Sequence, residues 1–490
     1  MYLIQKRHCA LAATLLFAGA VAAAGLVTPT QSNARPADTA ASRDPIQNEN
    51  FPDESGTFST FSTAGRVNQT NAFFQSLGTN GRTCQTCHQP KFGWTITPKS
   101  VREVFEDTDG RDPLFHPNDG TNSPDADLST RSARRLASSM LLTKGLIRIG
   151  LPLPANAEFT LAESDDPYHH ASAADFSLFR RPLPTVNLPF LSTVMWDGRQ
   201  NKVGRSIPDN LASQALDAVN GHAQRSLGSP MPAATLRSIV LFETGLFMAQ
   251  TYDDYVGWLD LEGGQGGPHS LSQENFYIGI NDPIGLNPTG AAFNPSAFTL
   301  YTAWTDLNGD KQRSRQENNG NADREEGEER LDDRRAAVAR GEVLFNTKSI
   351  EIIGVAGLND LLKSPLIHGT CTTCHDTPNV GNHSIAMPLN IGTADASRRT
   401  SDLPLYTLVK RITGETVQTS DPGRALVTGK WADIGKFKGP ILRGLPTRAP
   451  YFHNGSASDF TAVIEFYDTR FHVGFTKHEK RDLTAFLRTL

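Results

Sequence analysis

Apolar residues fall at helical spacing in several stretches of the chain, and the C-terminal end shows this most plainly. Leu483, Phe486, Leu487 and Leu490 recur at intervals of three and four, behind Thr476 and Glu479 placed as the two halves of a capping box. That pattern predicts a terminal amphipathic helix. Upstream, Phe460, Val463, Ile464 and Tyr467 share one face of another predicted helix, and the stretch 212–250 also reads as helical. No run alternates apolar and polar positions clearly enough to predict a strand, so the expected fold class is mainly α. Residues 100–180, with many Asp, Pro and Asn, predict loops and short helices. Residues 263–295, rich in Gly, Pro and Asn, predict irregular structure.

The ends and the middle carry different patterns. Lys6 and Arg7 precede an apolar run over 9–24 that is too short for a membrane span and is followed by polar residues. This predicts an export signal over 1–34, cleaved after Ser32-Asn33-Ala34 or nearer Ala24, and no stable membrane span in the rest. Residues 35–70 predict an extended polar arm. The charge-dense run 311–335 predicts a solvated linker or helix face between segments 71–310 and 336–490. Just ahead of it, Asp306, Asn308, Asp310 and Glu317 have the spacing of a calcium loop, with Lys311 where glycine is expected; a polar turn is the competing reading.

Composition narrows the chemistry. The 490 residues carry a net charge of −5 with both signs interspersed, which points away from nucleic acid or an anionic membrane as partner. Of five cysteines, Cys9 lies in the signal. The other four form Cys84-Gln85-Thr86-Cys87-His88 and Cys371-Thr372-Thr373-Cys374-His375. Two thiols three positions apart can both reach the vinyl groups of one porphyrin, and the histidine that follows can then ligate its iron. Zinc would need two further ligands, and a redox C-x-x-C has no use for the histidine. The expected cofactors are therefore two covalently bound haems c, held by Cys84, Cys87, Cys371 and Cys374, with His88 and His375 as proximal ligands.

Three features together, over residues 70–490, resemble the bacterial di-haem cytochrome c peroxidase superfamily, which includes the di-haem enzyme that matures methylamine dehydrogenase. They are the two motifs, Met195-Trp196-Asp197-Gly198-Arg199 with Gln214-Ala215, and Leu442-Arg443-Gly444 through Ala449-Pro450-Tyr451-Phe452-His453-Asn454-Gly455-Ser456. The resemblance implies two cytochrome c-like haem domains with long irregular insertions. It further implies peroxide reduction at the N-terminal haem, with electrons relayed from the C-terminal haem and supplied by a periplasmic small cytochrome or cupredoxin. Residues 179–187 and 377–384 are similar instead to the rubber oxygenase branch, which uses dioxygen on polyisoprene. A di-haem electron-transfer cytochrome is the third reading. Where the peroxidases have a sequence that helps bind an interdomain calcium, this chain reads Arg180-Arg181-Pro182-Leu183-Pro184.

The same resemblance implies roles for single residues. Trp196 corresponds to the tryptophan between the haems, against the alternative of a core tryptophan. His222 and Gln224 fall where a distal proton shuttle is placed, against ordinary helix-surface positions. His116, His169, His170 and His222 are the histidines that could close the first haem. For the second haem, Tyr467, fourteen residues after His453, competes with His472, and behind these with Met387 or His383.

Overall fold

Thr476 accepts a hydrogen bond from the Glu479 N–H (3.2 Å) while the Glu479 carboxylate accepts from the Thr476 N–H (2.8 Å), and the capped helix Lys477–Leu487 follows as expected. In this computed structural model the backbone is described for residues 48–226, 228, 230–307 and 322–490, and side chains for these except Asn48 and 322–330. Leu483, Phe486, Leu487 and Leu490 pack against the long helix Ala322–Thr347, with Phe345 and Cys371 in or against the same core. The two backbones meet at Gly341, where a Cβ would lie 2.1 Å from the Asp482 carbonyl oxygen. Arg340 ties the pair to Asp482 (2.8 Å). From Ala322 onward the charge-dense run is thus helix and not linker; its first part and the calcium-like loop from Asn308 lie outside the described residues.

Strands are the main departure. Eleven occur among the described residues, beside ten α-helices, in four antiparallel sheets. Helix is only the larger share, 32% against 16%, so "mainly α" gives way to a helix-rich fold with small sheets. The reason lies in burial. Phe176–Arg180 is buried at all five positions, and Leu246–Asp253 at its first five. A strand covered on both faces shows no alternation, and its apolar run cannot be told from a helical one.

The expected polar arm is corrected in the same way. From Asn48 it forms the hairpin Asn48–Pro52 and Gly56–Ser62, joined to Leu246–Asp253 and Gly257–Trp258. Phe58 is buried there against Phe73 and Trp94. Residues 35–47 and the predicted signal lie outside the described residues. Pro45–Leu490 clusters as one unit that holds both cysteine motifs. Among the described residues no helix is long and apolar enough to cross a membrane.

Two small sheets aim the chemistry. The pair Ile147–Leu151 and Phe176–Arg180 carries Arg180 and Arg181 into the interior. The hairpin Ile350–Ile353 and Leu366–Gly369 runs straight into Thr370 and Cys371.

Candidate haem centres

Both cysteine motifs are turns of the same construction. Around Cys84–Thr86 the Thr83 N–H donates to Thr86 Oγ1 (3.0 Å) and the His88 N–H to the Cys84 carbonyl (3.0 Å). Around Cys371–Thr373 the Thr370 N–H donates to Thr373 Oγ1 (3.0 Å) and the His375 N–H to the Cys371 carbonyl (3.1 Å). The shared Thr-Cys-x-Thr-Cys-His string explains the match: each second threonine closes the turn that brings its two thiols to one side.

After each histidine the chain folds back so that the carbonyl six residues on meets the ring. His88 Nδ1 lies 3.2 Å from the Trp94 oxygen, and His375 Nδ1 lies 2.5 Å from the Gly381 oxygen. A ring N–H donating to that carbonyl leaves Nε2 with its lone pair, the usual arrangement behind a metal-ligating histidine. Gly381 permits it: its φ is +79°, and a Cβ would lie 2.7 Å from the Phe298 ring. Burial brings the His88 imidazolium down to about 4 against the opposing Trp94 hydrogen bond, and it lowers His375 too, so both rings are neutral. All four thiols are free of disulfides, and burial pushes each up to about 12. They are not poised as thiolates. Among the described residues no three His, Cys, Asp or Glu side chains gather as a zinc site would require.

Each motif opens on its own cavity, of about 1290 Å³ for the first and 1810 Å³ for the second, mouths included. The two adjoin: Pro182, Leu183, Pro184, Lys438, Pro440, Ile441 and Arg448 line both. At this border Met195 lines the first cavity and Trp196 the second. The indole N–H donates to the Arg181 carbonyl (2.8 Å), and the Lys438 N–H donates to the Trp196 carbonyl (2.9 Å).

A buried ion cluster fixes that strand of residues. Arg180 binds Asp197 (2.5 Å) and makes a two-pronged contact with Asp421 (2.7 and 2.9 Å). All three are almost fully buried. Burial alone would raise the Asp197 carboxyl, but Arg180 and then Arg199 outweigh it and hold the group at about 2.

The expected site residues separate cleanly. His222 ends the helix Ile207–Gly221 and lines the first cavity, its Nδ1 bonded to the Asp119 carboxylate, which also binds Arg82. Gln224 does not: it is exposed, turned to a left-handed backbone (φ +53°) just past the helix, and only its carbonyl is used, by Thr79. Gln214, about two turns before His222 on the same helix, lines the cavity in its place. His116, His169 and His170 line neither cavity; His170 is held between Asp125 and Asp175. In the second cavity Tyr467 and His383 are lining residues, whereas Met387 is not, and His472 is an exposed helix cap with φ +50°.

Two lining groups escaped the sequence reading. Glu243 is buried in the first cavity with Oε2 unpartnered, and burial pushes its carboxyl up to about 8. Lys438 is buried on the shared wall, its ammonium brought down to about 7 by burial and by Arg448. Neither stands in a recognisable motif; Glu243 is marked only as a charged residue in an apolar stretch, and Lys438 is not marked at all.

No family model matches the chain. It is 30% identical over 140 residues to a cytochrome-c peroxidase of Pseudomonas sp. (strain SCT), covering 24% of this chain and 36% of that protein. Similar matches reach a cytochrome-c peroxidase of Denitromonas iodatirespirans (29% over 132 residues, 25% and 36%) and the cytochrome c551 peroxidase of Nitrosomonas europaea (30% over 123 residues, 24% and 30%). The matched part is about a third of the length of these relatives. These matches support a likeness to the di-haem cytochrome c peroxidase superfamily. A solved MauG-like protein associated with microbial copper homeostasis aligns over 86% of each chain at 14% identity and a TM-score of 0.38, too distant to inform the site.

Likeness to the di-haem cytochrome c peroxidases implies haem c, and the residues present fit it. Paired unoxidised thiols on one turn, a neutral imidazole oriented from behind, and a large apolar cavity above them are what thioether attachment and proximal ligation need. Among the described residues nothing supports calcium, and the calcium-like loop from Asn308 lies outside them.

Proposed function

We propose that the protein is an exported, periplasmic di-haem c oxidoreductase that reduces hydrogen peroxide. Reduction takes place at the haem held by Cys84, Cys87 and His88, with electrons entering at the haem held by Cys371, Cys374 and His375. The observation that carries this reading is the paired cavity: two motifs of one construction open on adjoining apolar spaces, with Met195 on one side of the border and Trp196 on the other. Bound haem iron supplies O–O cleavage and electron exchange; the chain supplies position, protons and exclusion of water.

Each peroxide consumes two electrons and two protons and leaves as two waters. His222, oriented through Nδ1 by Asp119, keeps Nε2 to hold a proton at the edge of the first cavity. Glu243, protonated at neutral pH, is a second acid on the same cavity, and Gln214 a neutral donor. Trp196, fixed at both its indole and its carbonyl, offers an aromatic step between the haems. The electron donor is a small periplasmic cytochrome or cupredoxin.

The holoprotein, given a reduced small cytochrome c, should oxidise it in a peroxide-dependent way. Trp196→Phe should keep both haems and slow electron equilibration between them on the order of tenfold or more, read by stopped-flow spectroscopy after half-reduction. Two low-spin haems unchanged on half-reduction, inert to peroxide and dioxygen, would leave an electron-transfer cytochrome. Reactivity with dioxygen alone would make the protein an oxygenase of the rubber oxygenase type.

Tyr467 is the side chain we assign to the second haem's sixth position. Burial pushes its phenol well above the usual range, so Tyr467 would hold the iron only if ferric iron stabilised its phenolate. A phenolate favours the oxidised state. Tyr467→Phe should therefore change the low-spin electron paramagnetic resonance signal and raise that haem's potential. An unchanged signal there, with a change in His383→Ala, would move the assignment to His383.

A further inference from the structure

Three basic side chains stand on the wall between the cavities, Arg181 and Lys438 buried and Arg448 half-buried with its Nε enclosed, and among the described residues they have no carboxylate partner. Arg181, Lys438 and Arg448 all line the second cavity, and Lys438 and Arg448 line the first as well. Arg181 donates only to backbone carbonyls, among them Ile96 (2.8 Å) and Lys144 (3.0 Å). Lys438 Nζ donates to the Thr193 carbonyl (3.0 Å). Arg448 donates to the Ile441 and Arg443 carbonyls, and its buried Nε has no partner. Among the described residues none of the three pairs with a carboxylate, in contrast to Arg82 and Arg180, which are buried with aspartates.

Burying a cation without an anion is costly, which is why burial pushes the Lys438 ammonium towards its neutral form, and three basic groups in one place call for anions that the described residues do not provide. Haem provides them. Thioether bonds fix the vinyl edge of each porphyrin at its cysteines, which leaves two propionate carboxylates per haem to find partners elsewhere in the cavity.

We propose that Arg181, Lys438 and Arg448 are a common counter-ion wall for the propionates of both haems, which therefore present their propionate edges to one another. Lys438 and Arg448 serve both haems, and Arg181 serves the second. The wall gives the two haems a shared electrostatic term: a cation beside the propionates disfavours the more positive ferric state and holds both potentials up. The inference rests on both haems being attached, and not on which oxidant they use.

The test is a spectroelectrochemical titration of Lys438→Met, with Lys438→Arg as the charge-preserving control and Lys438→Gln as a second neutral variant in case the methionine does not fold. Haem content is measured first, by intact mass. Two haems per chain keep the premise; fewer in the unmodified protein would overturn the attachment reading instead. With two haems present, both midpoint potentials should fall in the neutral variants, with the reduced-to-oxidised ratio at fixed poise down about tenfold, equivalent to about 59 mV for a one-electron couple. Lys438→Arg should leave them near their starting values. Resonance Raman spectra should show the propionate bending modes shifted for both haems. Potentials and propionate modes that do not move, or that move for one haem only, would overturn the shared wall.

Discussion

A Cys371→Ala/Cys374→Ala variant should retain one haem equivalent, seen as a loss of one haem from the intact mass and half the pyridine haemochrome absorbance per chain. The turn at Cys84–Thr86 is closed by its own threonine and opens on its own cavity, so attachment at the first site does not depend on the second. The damage should instead appear around the emptied cavity. Ile464 and Leu483 line it, and Phe345 packs within 5.9 Å of the His375 ring. Removing a macrocycle from that space exposes apolar surface worth ~25 cal/mol per Å². The helices Phe460–Phe471 and Lys477–Leu487 should become the most protease-sensitive part of the variant. Two haems in this variant, or none, would contradict the reading of the motifs as independent attachment sites.

Arg180→Ala should be the most destabilising single substitution near the site. It strips the guanidinium from Asp421's two-pronged contact and the shorter of two arginine contacts from Asp197, leaving Asp421 without an arginine and Asp197 with Arg199 alone. Breaking a buried pair from one side costs about 3–5 kcal/mol. Lysine should not rescue it, because a point charge cannot serve both carboxylates as the planar guanidinium does. The midpoint of chemical unfolding of the holoprotein is the measurement. A cost below about 1 kcal/mol would mean that Asp197 and Asp421 are solvated or protonated in place. Because Asp197 follows Trp196 directly, the variant should also broaden the environment of the indole, visible in its near-ultraviolet circular dichroism.

These outcomes depend on features that were unequally legible in the chain. The two Cys-x-x-Cys-His turns could be read outright, because such a motif is a contiguous string and every constraint is local: two thiols, a turn and a histidine. The capped terminal helix and the face carrying Val463, Ile464 and Tyr467 could be read because amphipathic spacing records a single buried side. The strands could not, because Phe176–Arg180 is covered on both faces and its pattern has nothing to alternate with. The distal residues were half legible. His222 and Gln224 differ by two positions, but the helix ends at Gly221, and the left-handed turn at Gln224 throws that side chain outward while Gln214 faces in.

The sequence by itself determined what short-range order encodes: the two Cys-x-x-Cys-His turns, the capped helix and the family resemblance. The tertiary structure decided what depends on residues far apart in the chain. It set Lys438 and Arg448 beside Pro182–Pro184, joined Arg180 to Asp421 across 241 positions, and selected Tyr467 over His472 as a cavity residue. Burial and charge pairing are properties of the packed interior, in which a residue's neighbours come from every part of the chain. A local pattern can record that a side chain is buried, but not which partner it meets there.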